Sequence, residues 1–467
     1  MIDRSEANHR LPEDCFPRTR IEPATARPSL ARHAPPRSLA APGPLPTIAV
    51  LAFLLVLCVL LVQPTLAATD SAQVRWIATW TSSPQAPWDG DFVLPSNLPE
   101  RLQDRTIRQV ARISLGGSRL RIRLSNEYGD EPLVIGAVSV ALAGSGSAIV
   151  PSTARTVTFG GSPSAVLPPG APLVSDPIDL PVADLARVSV SIFLPSGTTA
   201  PTFHWDARQT GWIAEGDRTD APALASAETT SVRLFLSAIL VERADASGAV
   251  VVMGDSITDG NGASTDADTR WPDFLAARLA PRSTAVLNAG ISGARLLGDR
   301  MGSNALARFD RDVLGQPGVH TMIVLLGIND IAWPGTAFDP RGSRPDAGAL
   351  IAGYRQLAAR ARSSGLRIIG ATLLPFEGAL EGTEIEGYHD RAKELLRQEI
   401  NAWIRGSEAF DAVIDFDALL RDPGYPARLL YEFDSGDHLH PGDDGNRAMA
   451  GSVDIDLLTA TTKELAQ

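Results

Sequence analysis

Cysteine is nearly missing from this chain. The two that occur, Cys15 and Cys58, both precede residue 70, in segments expected to be unstructured or removed from the mature protein. Beyond them there is no thiol, which excludes a disulfide framework, a cysteine nucleophile and a thiolate-bound metal from the rest of the sequence. Clustered positive charge is missing too. The net charge is -12 and no Lys/Arg run stands out, so nucleic acid is not an expected partner, since phosphate binding needs a basic surface. Long apolar runs are scarce. One, Ile48 to Val62, exceeds strand length, and it is shorter than the ~20 residues of a usual membrane crossing.

What is present divides into four stretches. Residues 1–44 are rich in Pro, Ala and Arg without periodicity and read as a disordered leader. Residues 45–67 read as a secretory signal. Arg27, Arg32 and Arg37 precede the apolar run with no acid between, and Thr65-Leu66-Ala67 offers small residues for cleavage. Left uncleaved, residues 48–62 would anchor the chain to a membrane; a start assigned upstream of the natural one is a further alternative. A lipoprotein is disfavoured, because Leu57 before Cys58 is bulky. The expected location is secreted or periplasmic.

At 467 residues the chain is too long for one core, and as a whole it has the 44% hydrophobic, 21% charged composition of globular proteins. Residues 70–245 alternate with period two and show no long helix. "ARISLGGSRLRIRLSN" reads as two runs around a Gly116-Gly117 hairpin turn, "ARVSVSIFLP" as a strand stopped by Pro195, and "SVRLFLSAILV" as another strand. An antiparallel β-sandwich fits. Residues 248–460 alternate strand and helix instead. Apolar runs at 249–253, 284–288, 320–326, 366–374 and 412–416 are separated in part by amphipathic helices. One carries Leu350, Ile351, Tyr354, Leu357, Ala358 and Ala361; another carries Ala392, Leu395, Leu396, Ile400 and Trp403. Such alternation implies a parallel sheet covered on both faces, whose ligands sit beyond the carboxyl ends of the strands.

That rule sorts the polar residues. Ser256 follows the first run in "VVMGDSITDGNG". Gly290 and Gly293 follow the second in "NAGISG", Asn329 the third in "GIND". Asp437 and His440 lie in the terminal loop "GDHLHP". A serine needs a base to become a nucleophile. His440 can serve, with Asp437 three residues earlier to orient its ring. The oxyanion formed on attack needs fixed donors, available from the N–H groups of Ser256 and Gly293 and the amide of Asn329. Each residue has a plainer reading. Gly-Asp-Ser after a strand serves as a turn and helix cap, the glycines as tight backbone passage. His438 and His440 with Asp437, Asp443 and Asp444 could form a metal cluster. Four loops of the right chemical types at strand ends favour catalysis.

In this order, "GDSITDG", "NAGISG", "GIND" and "DHLH" resemble the four blocks of the SGNH, or GDSL-type, hydrolases. The likeness spans roughly residues 248–460. It places the family's Ser, Gly, Asn and His at Ser256, Gly293, Asn329 and His440, with Asp437 as the triad acid. Ile257 stands where the family name has leucine. The resemblance implies a flavodoxin-like α/β/α sandwich with no metal and no cofactor. It implies a serine hydrolase acting on carboxylic esters, of acetylated carbohydrate or of lipid, through an acyl-enzyme. Thr258 rules out the Gly-x-Ser-x-Gly elbow of α/β-hydrolases. Residues 76–85 and 116–142 resemble the β-rich region that precedes this domain in secreted bacterial esterases. Nothing catalytic is expected from it. His204 reads as structural or as a contact between domains, and Trp76, Trp80, Trp88 and Trp205 as core aromatics before sugar platforms. His438 is expected to shape the loop, and Asp255 and Asp330 to hold backbone. Two rival readings are a catalytically silent carbohydrate-binding or surface protein and a metal-dependent hydrolase. The expected partner is a small-molecule, polysaccharide or lipid ester, with a membrane involved only if the N-terminal segment is retained.

Overall fold

The computed structural model describes residues 75–88 and 90–459. The leader, the signal or anchor segment and both cysteines lie outside the described residues. Among those described, no helix is long and apolar enough to cross a membrane.

Five strands form a wholly parallel sheet in the spatial order Thr284–Gly290, Gly248–Gly254, Val319–Leu325, Arg367–Ala371, Ala412–Ile414. This is the flavodoxin-like order, in which the first strand lies between the second and the third. Gly248–Gly254 is buried along its whole length, as its unbroken Val-Val-Val-Met run requires when helices cover both faces. Helix Trp271–Leu279 packs beside Asp443–Ser452, and Ala347–Ser363 beside Arg391–Gly406.

Helix Ala347–Ser363 buries the face the sequence implies, through Leu350, Tyr354, Leu357, Ala358 and Ala361. Helix Arg391–Gly406 does so only in part, through Leu396 and Ile400. Leu395 is 54% exposed, and the buried stripe is Leu396, Ile400 and Ile404 together with Glu394, Arg397 and Asn401. Polar residues sit on that face because they are paired: the Arg397 guanidinium donates to Glu394 (2.6 and 2.8 Å), to Asp417 (2.6 Å) and to Leu373 O (2.8 Å). A hydrophobicity pattern does not register such pairs.

The preceding region is antiparallel. A four-stranded sheet runs Trp76–Thr81, Leu236–Glu242, Leu120–Ser125, Pro172–Val174. A six-stranded sheet runs Glu228–Thr230, Gly211–Glu215, Arg105–Arg112, Arg187–Leu194, Ala137–Leu142, Arg155–Thr156. The Gly116-Gly117 hairpin does not form. The strand before it belongs to the six-stranded sheet and the strand after it to the four-stranded one, so this stretch crosses between sheets. The glycines serve close approach: a Cβ on Gly116 would lie 2.2 Å from Val182 O and one on Gly117 2.5 Å from Glu242 O. "SVRLFLSAILV" is also broken, at Phe235 (φ 61°), into Arg233–Leu234 and Leu236–Glu242.

The two regions are joined by buried contacts and lie within one compact unit. Strand Trp76–Thr81 rests against Thr284–Gly290, and Val286 N donates to Ser114 Oγ (3.1 Å).

Candidate active site

Paired register brings Gly254, Gly290 and Leu325 to one level at the carboxyl edge of the sheet. Ser256, Gly293 and Asn329 follow within a few residues, at the point where the strand order turns. Three loops therefore meet there by topology alone.

Ser256 opens the short helix Ser256–Asp259, and Asp255 caps it by accepting from Ile257 N (3.1 Å). The Gly-Asp-Ser turn is thus a helix cap, and the same cap orients the serine. Ser256 Oγ lies 2.8 Å from His440 Nε2. On its other side, His440 Nδ1 lies 2.5 Å from Asp437 Oδ2. Asp437 Oδ1 accepts from the N–H groups of Leu439 (3.0 Å) and His440 (2.8 Å), which fixes the loop between acid and base. Burial opposes the charge on Asp437, yet these bonds and the neighbouring His440 outweigh it and hold the carboxyl far below the usual carboxylate range.

Gly293 has φ +73°, and a Cβ there would stand 2.5 Å from Met301 Sδ and 2.8 Å from the Trp333 ring. Only glycine fits that position. Among the described residues, neither Ser256 N nor Gly293 N donates to a backbone or side-chain acceptor within hydrogen-bonding reach. Two backbone donors are thus left free beside the serine. Asn329 is 2% exposed and held at both ends: Tyr388 Oη donates to its Oδ1 (2.7 Å), and its Nδ2 donates to Ala294 O (3.0 Å), leaving one further N–H.

Asp330 accepts from Leu296 N (2.7 Å) and Leu297 N (2.9 Å), so it holds the loop after Gly293. Burial pushes its carboxyl up to about 6 against those two bonds. Asp255 is fully buried, its Oδ2 meets no partner, and burial pushes it up to about 7. An unpartnered buried oxygen is compatible with the neutral acid, which a charged carboxylate in that place is not.

Two residues that support this arrangement, Arg308 and Tyr388, carry no signal in the sequence, whereas His204 is singled out there as structural or as a contact between domains. Arg308 is fully buried. Its guanidinium donates to Ala289 O (2.7 Å), to Gly254 O (3.0 Å) and to Asp312 (2.9 Å), tying together the ends of the two strands that precede Ser256 and Gly293. Breaking such a buried pair costs about 3–5 kcal/mol. Tyr388 orients Asn329. His204 reaches in from the β-rich region, with Nε2 2.8 Å from Asp259 Oδ1, and is a contact between the two regions.

The residues proposed for a metal are otherwise engaged. His438 (φ 61°) turns away to Asp434 Oδ2 (2.5 Å), and Asp443 accepts from Ser264 N (2.8 Å) and Thr269 Oγ1 (2.6 Å). Among the described residues, no three of His, Cys, Asp or Glu are grouped to hold a metal ion.

A cavity of about 250 Å³ opens over the serine, bordered by Ser256, His440, Gly293 and Asn329. Its walls are mostly apolar: Trp333, Phe338, Ile385 and Leu439 from the α/β region, Leu94 and Trp205 from the β-rich region. Trp205 is therefore not a core aromatic. Trp88 is packed edge-on behind it at 6.0 Å, and Trp76 and Trp80 lie under Arg121 and Arg233, each 4.7 Å away. Loops 261–271 and 332–346 each contribute to the walls, as does the irregular segment that carries Leu380, Ile385 and Tyr388.

Residues 252–448 match the GDSL-like Lipase/Acylhydrolase family, and the C-terminal half of this chain carries that domain behind an added antiparallel β region. Similar solved structures include a GDSL-like lipase from Bacteroides thetaiotaomicron (19% identity, 47% of this chain and 90% of that one, TM-score 0.34). An acetyl xylan esterase from Geobacillus stearothermophilus is also similar (22%, 44% and 93%, TM-score 0.33). So is the acetyl xylan esterase AlAXEase (20%, 44% and 96%, TM-score 0.33). No curated protein matches the chain.

Proposed function

We propose that the protein is a serine esterase that hydrolyses carboxylic esters through a covalent acyl-enzyme. The observation that carries this reading is the unbroken contact series Ser256 Oγ, His440 Nε2, His440 Nδ1, Asp437 Oδ2, at 2.8 and 2.5 Å. His440 takes the proton of Ser256 as Oγ attacks the ester carbonyl, and Asp437 stabilises the imidazolium that forms. The carbonyl oxygen, now an oxyanion, accepts from Ser256 N, Gly293 N and Asn329 Nδ2. His440 returns its proton to the departing alkoxide, which leaves as the alcohol. Water then attacks the acyl-serine by the same route, releasing the acid and restoring Ser256.

The substrate is an ester of a lipid or of an acetylated carbohydrate. The apolar walls of the cavity favour an ester with an apolar portion. The apolar run Ile48 to Val62 behind three arginines supports export to the periplasm or beyond. The testing experiment is hydrolysis of an acyl series, acetyl to palmitoyl, beside acetylated xylan, by the wild type and by Ser256→Ala. The variant is expected to lose about 10⁴-fold or more in turnover. Near-normal ester hydrolysis by that variant would remove the mechanism.

A further inference from the structure

A chain of buried hydrogen bonds links the β-rich region to the loop carrying Gly293, and the catalytic steps above make no use of it. His204 belongs to the short strand Phe203–His204 and is 6% exposed. Its Nδ1 lies 3.0 Å from Ser83 O and its Nε2 lies 2.8 Å from Asp259 Oδ1. A carbonyl only accepts, so Nδ1 carries a hydrogen and donates to Ser83. Nε2 then faces a carboxylate oxygen, and the contact is attractive only with a proton between them. The other oxygen, Asp259 Oδ2, accepts from Ser292 N (2.8 Å) and Ser292 Oγ (2.7 Å).

From these bonds we infer that His204 is a positioning residue of the oxyanion hole, holding the Ser292–Gly293 peptide through Asp259. The β-rich region is then a working part of the active site. The inference rests on the esterase reading above. Asp259 sits three residues after Ser256 on the same helical turn, so one carboxylate sets the separation between the loop that supplies Ser256 N and the loop that supplies Gly293 N. There is little slack elsewhere. A Cβ on Gly290 would lie 2.4 Å from Asp259 N, and Met301 and Trp333 close on Gly293 from the far side. Asp259 is 2% and Ser292 1% exposed, so neither residue is open to bulk solvent. Behind the pair lies a small polar cavity of about 30 Å³, bordered by Arg233 and Arg270. Without His204, the Asp259 carboxylate loses its Oδ1 partner and is drawn toward these cations and away from Ser292.

The test uses His204→Phe, which keeps a ring of similar bulk without donors, Asp259→Asn, and the pair combined. Turnover and KM are measured on the best ester of the acyl series, with affinity for an aryl boronic acid, whose tetrahedral adduct occupies the oxyanion hole. Each single variant is expected to lose about 10- to 100-fold in kcat, since misplacement by about 1 Å costs ~10²-fold, with KM within about threefold. Boronate affinity should weaken by the same factor as kcat. The double variant should be no worse than the weaker single variant, because both act on one link. Wild-type kcat in a folded His204→Phe protein overturns the inference, as does multiplication of the two losses. If His204→Phe does not fold, Asp259→Asn decides alone: unchanged kcat and boronate affinity overturn it. Failure of the esterase reading is separate: the wild type would then hydrolyse no ester, or Ser256→Ala would hydrolyse it at a near-normal rate.

Discussion

Replacing Tyr388 by phenylalanine removes one oxygen and no volume to speak of, so its consequence can be worked from the hydrogen bonds. Tyr388 and Asn329 are each 2% exposed. The tyrosine hydroxyl donates to Asn329 Oδ1 at 2.7 Å, and Asn329 Nδ2 donates to Ala294 O at 3.0 Å. In Tyr388→Phe the Asn329 carbonyl is left without a donor, at a cost of about 1–3 kcal/mol. Flipping the amide does not relieve this, because Oδ1 would then face Ala294 O, acceptor against acceptor. The cost is met instead by drift of the side chain, which moves the remaining N–H of Asn329 off the oxyanion. If half or more of it appears in the transition state, kcat falls between about 2-fold and about 160-fold. KM should hold within about twofold, since the ground-state carbonyl gains little from that donor. The assay is steady-state kinetics at saturating ester, with thermal unfolding run in parallel. A lowered unfolding temperature at unchanged kcat would refute the reasoning, because Tyr388 would then stabilise the fold without orienting Asn329.

Further outcomes follow from the same geometry. Burial raises the Asp255 carboxyl to about 7, so between about pH 4 and pH 7 the folded chain keeps a proton that the unfolded chain releases, and stability falls as pH rises through that window. Asp255→Asn keeps the cap on Ile257 and should flatten the fall in unfolding midpoint over that range; an unchanged slope contradicts the assignment. The rate of ester hydrolysis should fall on acidification, because an imidazole base must be unprotonated to accept the Ser256 proton, while the Asp437 carboxylate stays ionised. A flat profile between about pH 5 and pH 8 points to another base. Gly293→Ala, with φ +73° and Met301 Sδ 2.5 Å from the new Cβ, should lose most activity, about tenfold at the least; activity near wild type would place the oxyanion donor elsewhere.

The sequence discloses the parallel sheet well because its strands are short, apolar and separated by amphipathic helices. The runs at 249–253, 284–288 and 412–416 correspond to Gly248–Gly254, Thr284–Gly290 and Ala412–Ile414. Ser256, Gly293 and Asn329 are visible for the same reason: each stands just past a strand end. What stays hidden depends on pairing across the chain. Arg308 sits in a short helix with nothing to mark it, and only the fold shows that its guanidinium spans two strand ends. Tyr388 lies 59 positions from Asn329 in a segment without regular structure. The Gly116-Gly117 hairpin fails because alternation on both sides of a glycine pair does not say whether the two strands share a sheet. In the helix Arg391–Gly406, ion pairs with Glu394 and Asp417 bury the arginine that the pattern assigns to solvent.

The claim on which the account turns is that Ser256 is the group that attacks. Treating the wild-type protein with a serine-directed fluorophosphonate and mapping the adduct by peptide mass spectrometry tests it most directly. The account predicts a single modified peptide containing Ser256, with esterase activity lost in proportion to its modification and labelling much slower in His440→Ala. Activity lost while Ser256 stays unmodified would contradict it.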